Sequence, residues 1–197
     1  MDDLTKQLTL SKFLLQKYAD IINEREQRTI GEIKSLVDGT DLSIQSLLTE
    51  FKGTYYSFND NYAEVLPKIY KFIIDEIEYV NINFGVNYWL SAKEVLEIKV
   101  VDDEDLAVFT CSCMKALGDN KAQVIIAELE NLSTHAFVST EINGKFAIFD
   151  PAQKHEFQKF IGEKKDIIRD YAFKEHKIKK FLYRFNHERY EQFLEEE

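Results

Sequence analysis

The stretch that most narrows the folds open to this chain is residues 101–150, VDDEDLAVFTCSCMKALGDNKAQVIIAELENLSTHAFVSTEINGKFAIFD. Asp102 is a good N-cap, Asp103, Glu104 and Asp105 fill a first helical turn, Lys115 sits in the last, and Gly118 supplies a stop. Leu106, Val108, Phe109, Cys113, Met114 and Leu117 make that helix apolar nearly all round, so it belongs in a core. AQVIIAEL then reads as a buried strand, THAFVSTEI as an alternating one, Asn143-Gly144 as a two-residue hairpin turn, and KFAIFD as the returning strand. The result is an α+β chain in which a helix precedes a small antiparallel sheet. His135, Asp150 and the acidic start of the helix fall in one place.

The rest of the chain reads as mostly helical. Leu4, Leu8, Phe13, Leu14, Tyr18, Ile21 and Ile22 recur at helical spacing, which predicts one or two helices over 3–38, interrupted near Gly31 and stopped at Gly39. Asp41 caps the next helix and Gly53 ends it. Asn59, Asp60 and Asn61 read as a loop before a helix containing Pro67, Ile69, Tyr70, Ile73 and Ile77. Ser91 with Glu94 three residues on forms a capping box for SAKEVLEI. Trp89 has two readings, a core aromatic or a wall of a substrate cleft. Beyond Pro151, apolar residues through Phe157, Ile161, Ile168, Ile178, Phe181, Leu182 and Phe185 predict C-terminal helices. One compact domain follows: a helical extension over 1–60, a core over 61–153 and C-terminal helices over 154–197.

Composition excludes several classes. An apolar fraction of 45% is globular rather than disordered. No segment approaches the roughly 18 apolar residues needed to span a bilayer, and the start lacks a basic-then-apolar signal, so the chain reads as cytoplasmic with no membrane partner. The net charge of -10 is uneven, since residues 154–189 carry 11 Lys and Arg against 6 Asp and Glu. Within them Lys177, Lys179, Lys180 and Arg184 suit phosphates and Phe181 and Tyr183 suit stacking, a nucleic-acid reading that the overall acidity opposes. Cys111 and Cys113 point to different sides of one helix and do not pair. They lie about 12 and 15 Å along it from position 103, as buried, inert residues.

The segments Asp102–Ala107, His135-Ala136-Phe137-Val138 and Phe149-Asp150-Pro151 together resemble the transglutaminase-like cysteine-peptidase superfamily, whose papain-like core reads roughly G-D-C-x-D-x-A, then H-A-[FW]-V, then [FWL]-D-P. The resemblance spans about 65–152. It places Asp103 where that family carries its nucleophilic cysteine, Val101 where it carries glycine, and His135 and Asp150 where it carries the proton shuttle and its orienting carboxylate. A carboxylate attacking an amide would have to form a mixed anhydride, a far poorer intermediate than a thioester. The resemblance therefore implies a vestigial triad of Asp103, His135 and Asp150 in a pseudoenzyme that binds a protein or peptide and uses no cofactor. A hydrolase relying on His135 and Asp150 stays open, as does a divalent metal held by Asp102, Asp103, His135 and Asp150.

Overall fold

The computed structural model describes residues 1–22, 29–81 and 88–193. Helices α1 (Asp3–Ile22), α2 (Ile30–Ser35), α3 (Leu42–Thr49) and α4 (Phe58–Glu76) lead into strand β1 (Glu78–Tyr79), helix α5 (Ala92–Ile98), strand β2 (Val100–Val101) and helix α6 (Asp103–Ala116). Strands β3 (Gln123–Leu129), β4 (Thr134–Ile142) and β5 (Lys145–Phe149), a 3-10 turn at Pro151–Gln153, and strand β6 (Ile161–Gly162) follow. The chain closes with α7 (Lys164–Asp170), β7 (Ala172–Phe173), β8 (His176–Phe185) and β9 (Tyr190–Gln192). β1 and β2 pair in parallel; the main sheet is antiparallel in the order β6-β5-β4-β3-β8-β7, with β9 also on β8. Among the described residues, no helix is long and apolar enough to cross a membrane.

The α+β class anticipated from the sequence is the observed one. The capping residues act as read: Asp102 accepts from Asp105 N–H, Asp41 from Ser43 and Ile44, and Ser91 with Glu94 closes a capping box. Asn143 and Gly144 both take positive φ (51° and 76°), as a tight hairpin turn requires. α1 and α3 place Leu10, Leu14, Ile44 and Leu48 in the same core as α6 and the sheet.

Three expectations need correction. Asn59, Asp60 and Asn61 lie in the first turn of α4, and Asn61 accepts from Ser57 N–H at 2.9 Å. Residue types that favour loops also favour helix starts, for the same hydrogen-bonding reason. β4 does not alternate, for residues 135–140 are all buried. One face carries Ala136 and Val138 into the main core, while Phe137 enters a second cluster with Ile125, Ile148, Ile167 and Tyr171.

The largest correction concerns the C-terminal segment, where α7 is helical but 172–173, 176–185 and 190–192 are strands. β8 pairs with β3 through two register shifts, skipping Leu182 and Lys179. Each bulge flips the side-chain alternation. Ile178 and Phe181 therefore reach the same cluster three residues apart, while Leu182, Tyr183 and Phe185 pack on the main core. That spacing imitates a helix. Lys174 and Glu175, both at positive φ, turn β7 into β8.

A buried carboxylate ties the helical layer to the sheet. Asp119 is 2% exposed and accepts from Tyr62 Oη at 2.5 Å, Thr140 Oγ1 at 2.7 Å and the Lys121 and Ala122 amides at 2.9 and 3.1 Å. Asp119→Ala strands all four donors, and we expect a loss of about 3 kcal/mol. It should appear as a lower urea midpoint at unchanged slope.

Candidate functional site

Three elements deliver the site. Asp103 is the first residue of α6, His135 the second of β4, and Asp150 follows β5 directly. Each position follows from local chemistry: an acid favoured at a helix start, and two positions at one end of an antiparallel pair. His135 Nδ1 lies 2.7 Å from Asp103 Oδ2 and Nε2 lies 2.9 Å from Asp150 Oδ2. The sequence motifs thus identify three residues that the fold does bring together.

Both ring nitrogens face carboxylate oxygens. A neutral imidazole would turn one lone pair onto an anion, whereas imidazolium donates to both. Burial opposes the charge, but the field of Asp150 and the bonds to both carboxylates outweigh it and push the His135 pKa up to about 10. At Asp103 burial likewise raises the pKa, yet the His135 bond and charge and the Ala136 N–H, donating at 2.8 Å, leave it below its ordinary value. Asp150 is 2% exposed and its Oδ2 also accepts from Tyr171 Oη at 2.6 Å and Gln153 Nε2 at 2.7 Å. Phe173 stacks on the imidazolium with ring centroids 3.6 Å apart and planes 13° apart, a cation–π arrangement.

Tyr171, Gln153 and Phe173 were not anticipated as parts of the site. Gln153 had a signal, lying three residues beyond Asp150 where a turn folds back. Tyr171 and Phe173 had none, because their segment reads as helix. Trp89 is buried at 7% exposure and stacks on Phe185, so it is a core aromatic rather than an open cleft wall. The neighbouring Leu90 N–H donates to Asp105 Oδ1 at 2.6 Å, tying this segment to the start of α6. Cys111 and Cys113 are buried free thiols whose pKa values burial drives upward, away from nucleophilic use.

The remaining acids of this helix start are strained by proximity. Burial, then neighbouring carboxylates, raises Asp102, and burial followed by the Asp103 charge carries Glu104 to about 8. Burial takes Asp105 to about 7 despite the Leu90 N–H. Among the described residues no group of three or more His, Cys, Asp or Glu is arranged to hold a metal ion.

No family model matches the sequence, and no curated protein matches it. Solved structures do. LapG of Legionella pneumophila superposes at a TM-score of 0.53 with 16% identity, covering 98% of this chain and 88% of that one. The fold is the papain-like one. EGTA-treated LapG gives a TM-score of 0.54 at 15% identity, over 99% of this chain and 87% of that chain. A putative cysteine protease from Cytophaga hutchinsonii is 21% identical, but the overlap spans 56% of this chain and only 37% of that one, at a TM-score of 0.43.

Stability should follow these charges. The raised His135 pKa contributes stability that is complete below 6.5 and drains as pH climbs through about 10, and the lowered Asp103 pKa contributes stability present above 3.8 and lost below it. Glu104 and Asp105 favour their neutral forms in the fold, so they withdraw stability as pH rises toward 7–8. The urea midpoint is expected to be highest near about pH 5, to decline most steeply between about pH 6 and 8 where the three groups act together, and to flatten once pH passes about 10 and the His135 contribution is gone. The ring nitrogen resonances of His135 should stay those of imidazolium at pH 8, and a His135 that titrates near 6.5 by NMR would contradict the bridge.

Proposed function

We propose that this chain is a non-catalytic member of the transglutaminase-like cysteine-peptidase group, acting as a protein- or peptide-binding module. One observation carries the reading: the histidine that would shuttle protons is closed between two carboxylates, with no thiol or hydroxyl nucleophile among its hydrogen-bond partners in the described residues. An imidazolium held protonated to about pH 10 is no general base at neutral pH. Asp103, already an anion at a helix N-terminus bonded to His135 and Ala136, has no drive to attack an amide.

The orientation of the ring supports descent from an active centre. In a thiol peptidase one imidazole nitrogen addresses the sulfur and the other an orienting carboxylate or amide. Here Nδ1 addresses position 103 and Nε2 addresses Asp150, which Tyr171 and Gln153 hold in place. These contacts support reading His135 and Asp150 as retained partners of a former thiol-peptidase centre and Asp103 as standing in its nucleophile position. The hydrolase alternative would need a nucleophile that none of these contacts supplies.

Two measurements test the reading. The native protein should show no hydrolysis or cross-linking across a panel of fluorogenic peptides, and turnover that disappears in His135→Ala would overturn it. Asp103→Cys should create a thiol that reacts with iodoacetamide at pH 6 roughly tenfold or more faster than an ordinary thiol, because the helix N-terminus and His135 lower its pKa. Cys111 and Cys113 should stay unlabelled until the chain unfolds. If the introduced thiol titrates near the ordinary value of about 8.5, position 103 is not the nucleophile's place.

A further inference from the structure

A groove of about 1120 Å³ lies at the opposite end of the sheet from the histidine bridge, and none of Asp103, His135 or Asp150 lines it. Its base is made by Gln123 and Ser139, register partners on β3 and β4, together with Phe146 of β5. Ser139 is four residues from His135 along β4, about 13 Å at strand rise. The volume exceeds the roughly 300–1,000 Å³ typical of small-molecule pockets. An elongated ligand suits it better than a metabolite.

The charges decide which. Five cations line the groove, in a chain whose net charge is -10. Two of them are answered locally, Lys121 by Glu141 at 2.5 Å and Arg184 by Glu191 at 2.5 Å. The other three come from separate elements: Lys34 from α2, Lys164 from the start of α7, and Arg189 from the β8–β9 turn. None of these three makes an ion pair among the described residues, and Lys164 instead lies over the Phe146 ring at 5.6 Å. Of the two remaining carboxylates, Glu188 is drawn to His187 at 3.1 Å and Lys115 at 3.6 Å, which leaves Glu163 as the one unanswered acid.

We propose that this groove binds an extended acidic segment of a partner protein. Separate carboxylates on a peptide can settle on Lys34, Lys164 and Arg189 while its backbone bonds to the amide of Gln123 and the hydroxyl of Ser139. A nucleic acid is the poorer fit, because its phosphates repeat at a fixed spacing and cannot skip the unanswered Glu163, whereas the carboxylates of a peptide can be spaced around it. The basic strand β8 does not rescue that reading, with Lys179 engaged by Glu128 at 2.6 Å and Arg184 by Glu191. The inference rests on the binding-module reading above and names the class of ligand for it.

The test is fluorescence polarisation of the full chain with a labelled peptide repeating Glu-Ser-Gly, beside its Gln-Ser-Gly and Lys-Ser-Gly counterparts and an oligothymidylate. Saturable binding of the glutamate peptide alone is expected, weakened about tenfold or more by Lys164→Glu with Arg189→Glu, whose exposed side chains leave the fold unaffected. Amide shift perturbations in the native protein should gather on β3, β4 and the β8–β9 turn. Absence of saturable binding, indifference to the charge reversals, shifts centred on the start of α6, or equal affinity for oligothymidylate would each overturn the proposal. Cleavage of the bound peptide would instead overturn the non-catalytic reading and leave the ligand class of the groove standing.

Discussion

The imidazolium of His135, clasped by Asp103 on one side and Asp150 on the other, is the interaction on which the arrangement of this chain depends. It joins the start of α6, the start of β4 and the end of β5, and through Tyr171 it also fixes the arm that leads from α7 into β7. A buried cation of this kind is tolerated only because its partners are complete. Removing either carboxylate would leave one ring N–H without its acceptor in a site where His135 is 1% exposed, a loss of about 1–3 kcal/mol for an unsatisfied buried donor. The same closure that makes the bridge strong takes the histidine out of service as a base.

Around that bridge the helix start is overloaded with negative charge. Four consecutive acids suit a helix N-terminus one at a time, but burial first and crowding second raise Asp102, Glu104 and Asp105, while the His135 cation holds Asp103 ionised. Capping alone explains Asp102, and the Leu90 amide explains Asp105. Glu104 instead shares a hydrogen bond with Asp103, a like-charged neighbour that raises its pKa further. The region therefore combines a well-satisfied bridge with poorly neutralised neighbours, a contrast more common at sites shaped by function than in purely structural helix starts.

Much of this was legible before the fold was known. The helix cap and the hairpin turn carry strong local chemistry, and the resemblance to the transglutaminase-like motifs singles out Asp103, His135 and Asp150, which the fold does place in contact. Residues 176–185 read as helix because β8 carries two bulges, and a twice-interrupted period of two places Ile178, Phe181, Leu182 and Phe185 at intervals that a helix would also produce. With that segment read as helix, Tyr171 and Phe173 had no route to the histidine. Trp89 could not be decided from sequence, since a core aromatic and a cleft wall use the same residue; only its stacking on Phe185 separates them. The groove was equally hidden, because its walls come from α2, α7 and the β8–β9 turn, far apart along the chain.

The bulges of β8 also bear on how readily its open edge could pair with another strand. β7 covers only residues 176–177 of the strand and β9 only 183–185, so among the described residues no strand pairs with its middle on that side. A flat apolar strand with such an edge would template growth by neighbouring chains. Here the irregular twist at Lys179 and Leu182 spoils the register that an incoming strand would need, and the lysines at 177, 179 and 180 add charge where docking would have to begin. The irregularity that conceals the strand in its sequence also works against edge-to-edge pairing at that strand.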